Sequence, residues 1–344
     1  MKPFIFLIAW FFSTLISFGQ GAGLAGRDKD RVVDSLTKKL YDNYIFADVA
    51  QAAGQHLRKL QKTGSYKNVG NPQQLAALLT NELRGVAHDK HLNLWYSKEK
   101  AAAAPMDPAA AAAQEAAFMR HMQRMNLGFP KLDILEGNVG YFKIDGFGPV
   151  NKVGETCTGA MLFLANTDAL ILDLRGNQGG EPEMVQYLAS YFFDTVPVHL
   201  NDLYYRNKNK TDAYWTIPVK GSRYLNKPIY LLTSSATFSA GEELAYDLQT
   251  QKRGTVVGAT TGGGANDGVV MDLGDGFFVY MPEGRAINPI TKTNWEGTGV
   301  QPDVAVPAET ALAAAHKMAL KAIIDKTPEK EKQFYTKALE TIKK

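Results

Sequence analysis

Apolar residues recur at one-turn spacing over the first part of the chain. Val32, Val33, Leu36, Leu40 and Tyr41 form one such series, and Val49, Ala53, Leu57 and Leu60 a second. A third opens with Asn71-Pro72, an N-cap residue followed by proline at the first helical position, and runs through Leu75, Leu78, Leu79 and Leu83. This spacing predicts three amphipathic helices between Asp28 and about Leu94, forming a small bundle. Residues 101–117 are rich in alanine but interrupted by Pro105 and Pro108, which predicts a linker followed by a helix over Phe118–Met125.

After Gly128 the pattern changes. NVGYFKIDGF reads as a strand, and the unbroken apolar runs ALILDL (169–174) and PIYLLT (228–233) read as strands buried on both faces. Helices are expected over Pro182–Phe193 and Gly241–Thr250, further strands at TVVG and FFVYM, and a helical tail from Ala308. Buried strands alternating with helices define an α/β layer architecture with a substantial core. The expected division is 1–20, an export segment; 21–100, a helical domain; 101–126, the alanine-rich linker and helix; and 127–344, the α/β domain.

Composition narrows the field. The chain is 45% hydrophobic and 21% charged, which is ordinary for a globular protein. A net charge of +3 over 344 residues, with no basic run interleaved with aromatics, argues against a nucleic-acid partner. Lys2, an apolar stretch from Pro3 to Phe18 and the small residue Gly19 read as a signal peptide, cleaved near Gly19-Gln20. That stretch falls short of the roughly 20 residues that span a bilayer. The expectation is therefore an exported protein, periplasmic or secreted, with no stable membrane insertion. The single cysteine, Cys157, excludes an internal disulfide and reads as structural.

Three segments carry candidate chemistry. In ILDLRGNQGG (Ile171–Gly180) a buried strand runs through Asp173 and Arg175 into a turn at Gly179-Gly180. Glycines there let the backbone approach a ligand and leave N–H groups for a developing oxyanion; a tight structural turn with Asp173 and Arg175 paired is the alternative. In LLTSSATFSAGEEL (Leu231–Leu244), Ser239 stands between a strand and a helix, where a nucleophile elbow would put it and where an N-cap serine would also sit. In GVAHDKHLNLWYS (Gly85–Ser97), His88 and His91 are candidate general bases, metal ligands across Asp89, or structural histidines.

In combination, DLRGNQGG, TFSAGEE and NWEGTGVQPDVAVP (294–307) resemble the S41 family of serine peptidases, from about Arg31 to the C-terminal helix. The family includes the tail-specific proteases, tricorn protease and the interphotoreceptor retinoid-binding proteins. The helical start ending in DKHLNL is similar to the retinoid-binding-protein branch, and no stretch reads as a PDZ module. The resemblance implies a crotonase-like (ClpP/crotonase) ββα core preceded by a small N-terminal helical bundle. It also implies Ser239 as nucleophile, His91 as base, Glu296 as orienting acid, and an oxyanion hole from Ala240 with Gly180 or Gly179. Members with a lysine base carry it in a G-x-x-T-x-G-K stretch; here Gly264 holds that position, so a Ser–Lys dyad is not implied. Lys90 stands where tricorn-like members have a relay serine. The expected substrate is a peptide or unfolded protein, with no cofactor and no metal. A carrier of apolar ligands is the main alternative, and an acyl-CoA enzyme of the same fold a third.

Overall fold

The computed structural model describes residues 26–98 and 108–342; the expected export segment and the first part of the expected linker lie outside them. The chain divides into two compact units. One draws its described residues from the first 111 positions, from Tyr204–Thr211 and from Asn266–Arg285; the other comprises Ala112–Leu203, Asp212–Ala265 and Ala286–Lys344.

The first unit opens with α1 (Gly26–Asn43), α2 (Ala47–Lys62) and α3 (Pro72–Ala87). The apolar stripes predict these helices because they bury as stripes: Val32, Val33, Leu36, Leu40, Leu57, Leu75, Leu79 and Leu83 are fully enclosed. The Asn71 side chain accepts the Gln74 N–H at the start of α3, with Pro72 at its first turn. The helices do not close on themselves alone. They pack on an antiparallel sheet of β1 (Asn93–Tyr96), β10 (Phe277–Pro282) and β9 (Gly268–Gly274), in the order β1-β10-β9. Leu92, Leu94, Leu273, Phe277, Val279 and Met281 complete the same core. Three short helices leave part of each apolar stripe uncovered, and a sheet contributed from nearly two hundred positions away covers it.

The second unit is built on a six-stranded sheet of order β12-β8-β7-β4-β3-β2. Its strands are β2 (Lys131–Leu135), β3 (Val139–Lys143), β4 (Ala169–Asp173), β7 (Ile229–Thr233), β8 (Thr255–Gly258) and β12 (Val304–Ala305). β2 and β3 form an antiparallel pair, and every neighbour from β3 onward is parallel. The unbroken apolar runs are the central strands β4 and β7, in which every residue is buried. Helix α8 (Ala311–Lys326) covers one face, bringing Ala311, Ala315, Ala319, Leu320 and Ile323 onto Val139, Ile171, Leu232 and Val257. Small residues on that helix let it lie close to the strands.

The remaining helices are α4 (Pro108–Arg124), α5 (Val150–Leu164), α6 (Pro182–Ala189), α7 (Ala240–Thr250) and α9 (Lys332–Thr341). α4 starts ten residues ahead of the expected Phe118, because Pro108 fits a first helical turn and the alanines after it favour helix. β5 (His199–Tyr205), β6 (Lys210–Trp215) and β11 (Gly284–Ile287) form a further sheet of order β11-β5-β6. The mixed α/β class expected from the sequence is the class observed. Parallel strands β4, β7 and β8 lie side by side, so the loops leaving their carboxyl ends emerge on one edge of the sheet, the usual place for a site in such folds.

Candidate active site

Three loops leave that edge: residues 174–181 after β4, 234–239 after β7 and 259–265 after β8. Hydrogen bonds lace them together. Ser234 Oγ donates to the Arg175 carbonyl at 2.6 Å, and Thr237 Oγ1 to the Leu174 carbonyl at 2.8 Å. The Phe238 N–H donates to the Asn177 carbonyl at 2.9 Å, and Gln178 Nε2 to the Ala236 carbonyl at 2.8 Å. The Gly262 N–H reaches the Thr237 carbonyl at 2.9 Å. With so many cross-loop bonds the loop backbones are fixed.

Ser239 sits immediately before α7 with φ 53° and ψ −123°. An L residue holds that backbone only under strain of roughly 1–3 kcal/mol, tolerated where the surroundings over-determine it. Its carbonyl accepts the N–H groups of Glu242 and Glu243 at 2.8 and 3.0 Å, so the main chain starts the helix. The strand–turn–helix context matches a nucleophile elbow.

The Gly179-Gly180 turn lies against it. A Cβ on Gly179 would fall 2.7 Å from Ser239 Cβ, 3.2 Å from Ser239 Oγ and 3.3 Å from the Ala240 nitrogen, so any larger residue would press into the serine. Gly180, at φ 139°, passes so close to Phe147 that a Cβ would overlap the Phe147 carbonyl. Around it, Phe147 N–H bonds the Gly179 carbonyl and Glu181 N–H the Phe147 carbonyl, at 2.9 and 2.8 Å. The Gly179 N–H is donated to Asn177 Oδ1 at 2.8 Å. The N–H groups of Gly180 and Ala240 are donated to no protein acceptor among the described residues.

Asp173 and Arg175 support this turn. Arg175 grips both oxygens of Asp173, Nε at 2.9 Å and Nη2 at 2.6 Å, while Nη1 reaches the Ala308 carbonyl at 2.7 Å. Tyr141 adds its hydroxyl at 2.7 Å. Burial pushes the Asp173 carboxyl up, but the bonds from Arg175 and Tyr141 outweigh it and hold the group below its ordinary value.

Glu242, fully buried on the first turn of α7, is a positioning residue that the sequence reading passed over. Oε2 accepts the Ser239 N–H at 2.9 Å and the Gly264 N–H at 2.8 Å. Oε1 accepts the Gly263 N–H at 2.7 Å and the Thr261 hydroxyl at 2.5 Å. One carboxylate thereby joins the serine to the loop after β8. Burial pushes this carboxyl above its usual range, with the four donors offsetting part of the effect. The spacing Ser239-x-x-Glu242 is a capping-box pattern, a signal that could have found the local half of this arrangement.

Glu296 is tied to the same loop system. Its Oε2 accepts the Ala265 N–H at 2.5 Å, Trp295 Nε1 donates to the Gly264 carbonyl at 2.7 Å, and the Gly297 N–H to the Gly263 carbonyl at 3.0 Å. Ser239, Ala240, Gly179, Gly180 and Glu296 thus all belong to the second unit. Cys157 is buried on α5, and burial pushes its thiol far up, which suits a structural residue.

His91 belongs to the first unit, on the turn between α3 and β1. Arg84 braces that turn by donating to the Lys90 and Leu92 carbonyls at 2.7 and 2.8 Å. The His91 ring stacks on Tyr280, centroids 5.8 Å apart and planes at 27°. Beside it stands Asp89, whose Oδ1 lies 3.7 Å from His91 Nδ1 and accepts the His91 main-chain N–H at 2.8 Å. Asp89 Oδ2 accepts from Tyr44 Oη at 3.1 Å and Asn266 Nδ2 at 2.9 Å. Burial pushes this carboxyl up, but the bonds and charge of His91, together with Asn266, more than compensate and hold it below its ordinary value. Asp89 is the carboxylate that faces His91 within this unit. His88, by contrast, is exposed and caps α3 in a left-handed conformation at φ 53°.

A strained serine at a strand–helix turn beside two undonated N–H groups matches the local geometry that a serine hydrolase needs. Comparison with known proteins is specific. Residues 138–306 match the model of peptidase family S41, and residues 27–126 match the N-terminal domain of that family as found in eukaryotic IRBP. The chain belongs to peptidase family S41. It is 32% identical over 178 residues to carboxyl-terminal-processing peptidase 2, chloroplastic, of Arabidopsis thaliana, covering 49% of this chain and 32% of that one. The chain thus spans about a third of that relative's length. Among solved structures it is similar to the photosystem II D1 C-terminal processing protease, with TM-score 0.53, 18% identity, and coverage of 82% of this chain and 94% of that one. It is also similar to a lipoprotein from Streptococcus agalactiae, with TM-score 0.57, 16% identity, and coverage of 90% and 100%. At these identities the structures speak for the fold alone. No described helix is long and apolar enough to cross a membrane.

Proposed function

We propose that this chain is an exported serine peptidase that cleaves peptides or unfolded proteins by acyl transfer, on a crotonase-like core. The observation that carries the reading is Ser239, held at φ 53° against the Gly179-Gly180 turn. The names of its relatives point to processing of carboxyl-terminal segments.

In this mechanism His91 takes the proton from Ser239 Oγ as that oxygen bonds to the scissile carbonyl carbon. The N–H groups of Ala240 and Gly180 hold the oxyanion; the Gly179 N–H, already given to Asn177, is the poorer donor. Losing one such donor typically costs roughly 3–4 kcal/mol of transition-state stabilisation. The tetrahedral intermediate collapses as the C–N bond breaks, and the proton on His91 passes to the leaving amine. Water then attacks the ester, His91 accepts its proton, and Ser239 is restored as the acid leaves. Asp89, 3.7 Å from Nδ1, is the carboxylate that faces the His91 ring. Glu296, which accepts the Ala265 N–H of the loop that Glu242 ties to the serine, supplies the second carboxylate of the relay.

The test is cleavage of a proteome-derived peptide library, read by mass spectrometry, with folded Ser239→Ala, His91→Ala and Asp89→Asn proteins alongside. Wild type is expected to cleave and Ser239→Ala to be inactive. Asp89→Asn should lower kcat by about 10²- to 10⁴-fold, the range for loss of acid–base catalysis. If wild type cleaves nothing, apolar-ligand binding becomes the better reading. If Ser239→Ala cleaves as well as wild type, the site is misassigned.

A further inference from the structure

The serine loops leave the carboxyl edge of the six-stranded sheet. At the opposite edge, where β7 and β8 begin, a pocket of about 350 Å³ opens beside the turn after α7 and the end of α8. That volume falls within the range of roughly 300–1,000 Å³ for small-molecule sites. Lys227, Lys252, Arg253 and Lys326 line it, and no aspartate or glutamate does so among the described residues. All four cations belong to the second unit. A cleft lined by one sign of charge concentrates ions of the other sign.

The cations fall into two pairs. Lys227 Nζ donates to the carbonyls of Ala165 and Thr167 at 2.9 and 2.7 Å and lies 4.9 Å from the centre of the Tyr224 ring. Arg253 donates from Nε to the Phe192 carbonyl at 2.6 Å, from Nη1 to that of Lys227 at 3.0 Å and from Nη2 to that of Tyr224 at 2.6 Å. These acceptors are all neutral, so they fix the two side chains without cancelling their charge. Lys252 and Lys326 are exposed, and neither ammonium enters a hydrogen bond or ion pair among the described residues. Tyr230, on β7, completes the lining. It is only 6% exposed, yet its hydroxyl has no hydrogen-bonding partner among the described residues. A phenol enclosed to that degree ordinarily donates to something.

We propose that this pocket is a phosphate-binding site, with Lys252, Lys326 and Tyr230 as direct contacts and Lys227 and Arg253 as fixed charge behind them. The chemistry of the donors selects the ligand. A planar carboxylate is best met by a guanidinium fork, and the fork of Arg253 is already given to three carbonyls. What remains is ammonium point charges and a hydroxyl, which suit a tetrahedral oxyanion carrying a charge near −2. The ligand is free phosphate or the phosphate group of a soluble small molecule. The pocket follows the last turn of α7, whereas Ser239 precedes the first, so the two sites share no residue.

The test is isothermal titration calorimetry on the full chain at constant ionic strength, with inorganic phosphate, glycerol 3-phosphate and acetate as probes. Saturable binding of a phosphate probe is expected, tighter than that of acetate. The double variant Lys252→Gln/Lys326→Gln should weaken it by roughly tenfold or more, the scale of charge-assisted hydrogen bonds. Tyr230→Phe, which removes one neutral donor, should weaken it by about two- to tenfold. Tighter binding of the ester than of inorganic phosphate assigns a phosphorylated small molecule, and equal binding assigns free phosphate. Both lysines are exposed, so the double variant should unfold at the parent's midpoint and decides the matter even if Tyr230→Phe disturbs the core. Failure of both phosphate probes to saturate, acetate binding as tight as phosphate, or equal affinity in the parent and the double variant would overturn the proposal.

Discussion

Of the enclosed carboxyl groups on helix α7, Glu242 and Asp247 stand five residues apart and meet opposite surroundings. Glu242, on the first turn, receives four donors: the N–H groups of Ser239, Gly263 and Gly264 and the hydroxyl of Thr261. Asp247, lower on the helix, has no donor within hydrogen-bonding distance of either oxygen; the Asn288 amide lies near enough only to favour its charge weakly. Burial and the neighbouring Glu243 push the Asp247 carboxyl well above its ordinary value. Burial is common to both, so burial does not decide what a carboxyl does. The donors decide. Glu242 is part of the machinery that fixes the serine loop, whereas Asp247, with no donor on either oxygen, contributes no such tether.

The larger effect is expected at Glu242. In Glu242→Gln each oxygen position already faces N–H or O–H donors, so either orientation of the amide points its own NH2 at another donor. A buried donor left unmet costs about 1–3 kcal/mol, and at least two are lost here. Chemical denaturation should therefore show a loss of roughly 3 kcal/mol or more. Peptide cleavage should fall through kcat, because the Ser239 N–H loses its anchor. A variant with unchanged stability and kcat would erase the distinction drawn between the two carboxyls.

Asp247→Asn should do little harm. Because burial raises the folded Asp247 carboxyl above the value of about 4 of an unfolded aspartate, stability declines as pH rises from there through the raised native value. A neutral amide removes that decline. Unfolding midpoints measured between pH 4 and pH 8 are expected to be flatter with pH in the variant, and higher at neutral pH, with kcat preserved. A slope as steep as that of the parent would mean that Asp247 is ionised and has found donors.

Much of the second unit was legible in the chain itself. ALILDL and PIYLLT are apolar at every position, which only a strand covered on both faces tolerates, and they form the paired strands β4 and β7. Ser239 at the strand–helix junction and the Gly179-Gly180 turn followed from the same pattern. The first unit was read less fully. Its helices carry a periodicity of their own, but the sheet that covers them includes residues 268–282, and periodicity does not report partners so distant. Glu242 was passed over for the same reason: three of its four donors lie 19 to 22 positions downstream. Asp89 stood in plain view between two histidines. Its facing of His91 depends on the turn that Arg84 braces, and that geometry is set by contacts rather than by spacing.

The central claim is that Ser239 is the nucleophile, and covalent labelling tests it most directly. The protein would be treated with a fluorophosphonate probe and digested, and the modified residue located by mass spectrometry. The account predicts a single adduct on Ser239, loss of peptide cleavage in step with labelling, and no adduct in the Ser239→Ala protein. Labelling at another residue, or cleavage that survives full occupancy of Ser239, would contradict it.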